Sequence, residues 1–267
     1  MSKLNEEIVA EVQARSACLT NIPKVRMVAI SLGYTLVELD TDTLGVCFTP
    51  RSGADSCVHY QSAGTLAQKP VLELAELMLS PNPLEKSVGI AAVNAVSKVI
   101  MDHEPEKFSF SGSDFLDLLP LKKERLKVGM VGNIGPFLPF LKKHAASLII
   151  VDDNPSLPQG IMGQGPAMSR NIKDLAQVDV LIITGSSAAV GDFDEALTAA
   201  RSARFIGVVG PSAGWLPDPA FRQGVHAVAG TRITNLPGAR RAILEGGGTP
   251  HFIRYGQKYT LIPTEKL

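Results

Sequence analysis

Two kinds of periodicity divide the chain. Leu4–Ala17 is apolar at Leu4, Ile8, Val12 and Ala17, the 3.6-residue spacing of an amphipathic helix. Two extended runs follow. Val25–Leu39 alternates loosely, and Gly45–Thr49 is rich in β-formers. The turn residues of Asp40–Gly45 between them predict an antiparallel pair. A third short strand is expected at Ser56–Tyr60. Helical spacing then returns over Val71–Leu79 and, behind Pro81 and Pro83, over Leu84–Met101. Strands followed by helices make this half α+β.

After residue 127 the pattern changes. Apolar runs at Lys127–Val131, Ser147–Asp152, Asp179–Thr184, Phe205–Gly210 and Ala227–Thr234 alternate with helical segments at Phe137–His144, Ser169–Ala176, Asp192–Ala203 and Pro237–Leu244. Continuous apolar strands between helices predict a parallel sheet covered on both faces. Residues 104–127, with Pro105, Pro120 and a charged run, read as the connection. Ser113 is a plausible N-cap for a short helix after it. The expected organisation is an α+β domain over 1–110 and an α/β domain over 111–267.

Composition narrows the function classes. The chain has 267 residues, with 26 basic and 26 acidic side chains and 45% hydrophobic residues. A balanced charge argues against a nucleic-acid partner. The longest apolar runs fall far short of the ~20 residues of a membrane helix, so no membrane partner is expected. Three cysteines without C-x-x-C spacing, and an opening Met-Ser-Lys-Leu-Asn-Glu-Glu without an export signal, fit a reducing cytoplasm. The sequence allows a homo-oligomer without selecting one.

The candidate chemistry lies at the strand ends. In an open α/β sheet, ligands bind beyond the carboxyl ends of the strands. Here those ends run into Gly132-Asn133-Ile134-Gly135, Asp152-Asp153, Thr184-Gly185-Ser186 and Gly210-Pro211-Ser212. Glycines let backbone N–H groups approach a ligand closely. Gly132 and Gly135, with Asp152 twenty residues after Gly132, suggest a dinucleotide fingerprint, but the G-x-G-x-x-G pattern is broken. A mononucleotide, an adenosyl group or a small anion remains open. Gly210-Pro211-Ser212-Ala213-Gly214 matches a nucleophile elbow, with His226, His251 and Asp218 downstream. The simpler reading is a tight turn in which Ser212 binds a ligand. Cys57-Val58-His59 could share an ion on one strand face, and Asp152-Asp153 could meet a hard cation; structural roles compete with both. Asn94 sits on the apolar stripe of Ile90, Ser97 and Met101. It must meet either a backbone group of a neighbouring loop, or a water or ligand.

These same residues carry a resemblance. Ser87–Ala95 (SVGIAAVNA), Asp179–Ser186 (DVLIITGS) and Gly207–Ser212 (GVVGPS) resemble the family described as "putative heavy-metal chelation". The resemblance implies an enolase-N-terminal-like domain followed by a Rossmann-like domain. It also implies a site in the cleft between them, formed by Asn94, Thr184–Ser186 and Gly210–Ser212. The implied ligand is a small molecule, a heavy-metal ion or its chelate. The alternative is an enzyme using an adenosyl- or nucleotide-type cofactor on the second domain.

Overall fold

A computed structural model of the protein describes residues 2–50, 59–154, 157, 160–161 and 165–264. The first half comprises helix α1 (Lys3–Arg15), strands β1 (Val25–Ile30), β2 (Tyr34–Leu39) and β3 (Leu44–Phe48), and helices α2 (Val71–Ala75) and α3 (Pro83–His103). The three strands form an antiparallel sheet in the order β1-β2-β3. The single run anticipated over Val25–Leu39 is thus two strands, because the chain turns back at Ser31-Leu32-Gly33. Every residue of β2 is buried, since α3 packs on one face and the C-terminal part of the chain on the other. Gly45 makes the α3 contact possible: a Cβ there would lie 2.1 Å from the Ala91 carbonyl oxygen. Of the strand expected at Ser56–Tyr60, residues 56–58 lie outside the described residues, and His59 and Tyr60 are not in a strand.

The second half continues with β4 (Ser109–Phe110), α4 (Phe115–Leu118), β5 (Lys127–Val131), α5 (Leu138–His144), β6 (Ser147–Val151), β7 (Gly160–Ile161), β8 (Ala167–Ser169), β9 (Val180–Thr184), α6 (Ser187–Val190) and α7 (Phe193–Ala199). It ends with β10 (Phe205–Val209), α8 (Asp218–Arg222), β11 (Ala227–Ile233), α9 (Leu236–Leu244), α10 (Thr249–Phe252) and β12 (Gly256–Ile262). Among the described residues the sheet order is β4-β12-β11-β10-β9-β5-β6-β8-β7. The strands from β11 to β8 are parallel. The expectation of a parallel sheet therefore holds for its centre, while β12, β4 and β7 add antiparallel edges. The expected helix over Ser169–Ala176 is corrected to the end of β8 and a 3-10 turn at Ile172–Leu175.

Residues 104–127 are more than a connection. β4 lies within this stretch, and Phe115, Leu119 and Leu121 are buried against the sheet. Asp114, rather than Ser113, caps α4 by accepting the Leu116 N–H at 3.1 Å.

Alternate residues of the central strands feed opposite faces. Val180 and Ile182 join the core under Phe115 and Leu141, whereas Leu181 and Ile183 join the core that runs on into α1 and α3. The two halves therefore share buried apolar surface. Polar contacts fasten the same seam. The Asp194 carboxylate accepts the backbone N–H groups of Lys3 and Leu4, at 2.8 and 3.2 Å. Arg222 pairs with Glu11 at 3.1 Å. Tyr34 Oη lies 2.7 Å from Thr249 Oγ1, with its ring edge-on to Phe252. Tyr34→Phe keeps the ring contact and removes that hydrogen bond, so urea denaturation should read a loss of about 0.5–1.5 kcal/mol. No change in midpoint would mean that Thr249 finds an equal partner elsewhere.

Candidate functional site

The strand order sets where a ligand can enter. From β5 the chain winds outward through β6 to β8. It then returns to the other side of β5 and winds outward again through β9, β10 and β11. The winding reverses between β5 and β9, and such a reversal opens a crevice at the carboxyl ends of the two strands. Gly132 and Thr184 stand on its two sides. Gly132 has φ of +80°, and a Cβ there would lie 2.6 Å from Thr184 Cγ2. A side chain at 132 would run into Thr184.

The loops beside it are held by backbone hydrogen bonds. The Asp152 carboxylate accepts the N–H of Asn133 at one oxygen and of Asn154 at the other, both at 2.8 Å. Asp152 thus joins the loops after β5 and β6. Gly135 opens a 3-10 turn, Gly135–Phe137, so the glycine pair does not lead directly into the seven-residue α5. The Thr184 and Ser186 hydroxyls lie 3.1 Å apart. A Cβ on Gly185 would be 2.6 Å from Ala213 N, so the loop after β9 rests on the loop after β10. Gly210, with φ of +135°, gives its N–H to Ala229 O at 2.9 Å and turns the chain toward Pro211 and Ser212.

That last loop faces the first half. Ser212 is buried, and its Oγ accepts the Phe48 N–H at 2.9 Å. Neither burial nor that bond suits a nucleophile. The downstream residues that could have activated a nucleophile are engaged elsewhere. His226 Nδ1 accepts from Ile206 N–H, His251 Nδ1 accepts from Gly248 N–H, and Asp218 pairs with Arg15. The chain does turn tightly here, with the Ala213 N–H donating to Gly210 O at 3.0 Å, but the Ser212 hydroxyl that the simpler reading gives to a ligand is taken by Phe48. Asn94 meets the same loop: its Nδ2 donates to Val46 O at 2.8 Å and to Ser212 O at 3.1 Å. Its Oδ1 is buried with no hydrogen-bond partner among the described residues. Of the residues singled out in the sequence, Asn94 and Ser212 are in contact. Gly132, Asn133 and Asp152 form one neighbourhood with Thr184 and Ser186.

Asp192 was not anticipated. It stands before α7, where an aspartate reads as an N-cap, yet its side chain caps nothing. Oδ1 is buried with no partner among the described residues. Burial pushes its carboxyl up to about 6, the negative charges of Asp153 and Asp152 add to the shift, and the Ser187 hydroxyl only partly offsets it. A largely buried carboxyl without a counter-charge is a poor cap and a good acceptor for a ligand group. Only its neighbourhood in the fold distinguishes it from an ordinary cap.

Soft metal donors do not gather at this edge. Among the described residues no three His, Cys, Asp or Glu side chains are grouped to hold an ion. Cys47 is fully buried, and burial pushes its thiol up to about 12, so it is no thiolate. The Cys57-Val58-His59 pair lies outside the described residues at Cys57 and Val58. No helix among the described residues is long and apolar enough to cross a membrane.

Known proteins share this architecture. A protein of unknown function from the DUF364 family of Pyrococcus horikoshii superposes with a TM-score of 0.79 at 23% identity, over 97% of this chain and 100% of its own. One from Desulfitobacterium hafniense gives 0.76 at 20% identity, over 97% and 99%. These likenesses establish a common fold. An uncharacterized protein of Methanocaldococcus jannaschii is 26% identical over 236 residues, 87% of each chain. Residues 14–97 match a family model described as "Putative heavy-metal chelation". Residues 114–262, more than half of the chain, match a second model, DUF364, with the same description, and the chain belongs to that family.

Proposed function

We propose that the protein binds a heavy metal as a small chelate, rather than as a bare ion, at the carboxyl edge of the parallel strands over the β5–β9 reversal. The family description supplies the metal. The chemistry of the edge argues for the chelate. The groups gathered there are the hydroxyls of Thr184 and Ser186 and the carboxylate oxygens of Asp192, which suit an organic molecule's polar atoms better than a soft ion. The observation that carries the reading is Asp192. Its unpartnered, buried oxygen beside this edge is one acceptor, enough for a single open position on a metal already held by its chelator. Asn94 serves as a positioning residue that holds the loop 210–214 against the site. A nucleotide has less support, because both oxygens of Asp152, the acid that would meet a ribose, already accept backbone N–H groups.

Native mass spectrometry tests this directly. The protein is incubated with Fe(III), Zn(II) or Cd(II), each as the free ion and as its citrate complex. The expected result is one-to-one retention of a chelate that is weakened at least tenfold in Asp192→Asn. Stoichiometric retention of free ions with no gain from citrate would overturn the reading, as would chelate binding indifferent to Asp192→Asn.

A further inference from the structure

We propose a second site, for a small phosphate or carboxylate oxyanion, in the cavity where the β1–β2 hairpin meets the start of α9. This groove, open to solvent, has a volume of about 520 Å³, room for a small oxyanion. Arg26, Glu38 and Asp42 line it from the first half, and Asn235, Pro237 and Arg240 from the second. It lies past the carboxyl end of β11, two strands along the sheet from Thr184, and so on the ligand-binding edge of the fold.

The chemistry follows from how Glu38 is used. Its side chain is only 2% exposed, and a buried carboxylate must be paired. Arg240 Nη1 donates to its two oxygens at 3.3 and 3.0 Å, and Arg26 Nη1 donates to Oε1 at 3.2 Å. One carboxylate therefore holds two guanidinium groups at the cavity wall, one from each half of the protein. Arg26 is largely engaged, its Nη1 shared by Glu38 and Asp42 and its Nη2 donating to Asp40 O at 3.1 Å, whereas Arg240 keeps donors to spare. Arg240 Nη2 and Nε have no hydrogen-bond partner among the described residues, and the side chain is 35% exposed. A guanidinium edge with parallel free donors matches an oxyanion bidentately. Helix α9 begins at the same wall, and its positive end adds to the attraction for an anion.

A removable stand-in already sits at the rim. Asp42 is 79% exposed and its Oδ1 lies 2.7 Å from Arg26 Nη1. An exposed pair of this kind is weak. An incoming oxyanion would take the place of the Asp42 carboxylate on Arg26 while reaching Arg240. The cavity is thus built to exchange a surface carboxylate of its own for one carried by a ligand.

Isothermal titration with inorganic phosphate and with malonate separates the two oxyanion types, and the tighter probe names the group. At least one should saturate with a Kd below about 1 mM. Arg240→Lys keeps a cation on Glu38 but removes the planar fork, and should weaken binding at least tenfold. Asp42→Asn removes the competing carboxylate at an exposed position that cannot unfold the protein, and should tighten binding severalfold. Melting curves of both variants establish that each is folded. If neither probe saturates by 10 mM in any of the three proteins (a threshold about ten times the expected Kd), the site does not exist. Saturable binding that Arg240→Lys leaves unchanged would equally overturn it.

Discussion

Replacing Asn94 by leucine should cost the fold about 2–4 kcal/mol. The amide nitrogen donates to two backbone carbonyls from different halves of the chain, Val46 O on β3 and Ser212 O after β10. Leucine leaves both without this donor, in a place where water is scarce. Each stranded carbonyl costs about 1–3 kcal/mol. Part of that loss is returned, because the buried and unpartnered Oδ1 disappears with the amide. Packing offers no further relief. A Cβ on Gly214 would already come within 3.2 Å of Asn94 Cβ and Cγ, so the leucine branch has to displace the loop it faces. Urea denaturation at neutral pH checks the figure. A loss well under 1 kcal/mol would mean that the carbonyls find water or new donors and that the amide is no tether. Either outcome bears on the candidate site, since the loop that Asn94 holds supports Gly185 and so the wall beyond Thr184.

Local pattern revealed most of the elements, and its failures have physical causes. The five central strands are buried on both faces, so their β-branched apolar runs stand out without any partner in view. Helix α3 was legible for the same reason, being small and apolar nearly all round. Edge elements were not. β4 is two residues long, and β12 (Gly-Gln-Lys-Tyr-Thr-Leu-Ile) is polar and exposed at Gln257 and Lys258 and buried only at Thr260 and Leu261, so it has no period-2 pattern and pairing with β11 defines it. The turn at Gly33 was hidden because β2 is buried on both faces and so lacks the alternation that would have separated it from β1.

The candidate site divides in the same way. Glycine and hydroxyl residues at strand ends are readable, because the strand predicts where its own end falls. What those groups do depends on neighbours far along the chain. Ser212 belongs to a literal G-x-S-x-G, but its hydroxyl is used by Phe48, 164 residues away. Asp152 stands at the right interval for a ribose, but loop closure uses both oxygens. Asn94 was open between tether and ligand contact in sequence, and two carbonyls from different halves decide what its nitrogen does. Glu38 shows the limit most clearly. A charged residue in a strand reads locally as solvent-facing, and it takes Arg26 from β1 and Arg240, 202 residues later, to make its burial tolerable.

Asp192→Asn should stabilise the protein at pH 8 by about 1–3 kcal/mol while leaving it nearly unchanged at pH 4. In the unfolded chain the carboxyl titrates near its ordinary value of 3.8, and in the fold burial pushes it up to about 6. Well below pH 3.8 both states are protonated and the group contributes nothing to the balance, and at pH 4 its contribution is still small. Between about 4 and 6 the native state holds the extra proton, so stability falls as pH rises through that window. Above 6 the carboxylate is charged in both states, and the fold carries the full cost of burying it. A shift of about two pH units corresponds to ~3 kcal/mol, the upper end of the range, because an asparagine amide in the same place has polar atoms of its own to satisfy. Urea midpoints at pH 4 and pH 8 for both proteins measure the difference. Equal midpoints at pH 8 would mean that the carboxyl is hydrated and titrates normally, and the chelate reading would lose the group it rests on. A gain at pH 8 joined to loss of the citrate complex would instead mark a residue kept at a cost to stability. An N-cap does not behave in that way. Removing a cap weakens its helix, whereas a buried acid awaiting a ligand weakens the fold for as long as it is present and charged.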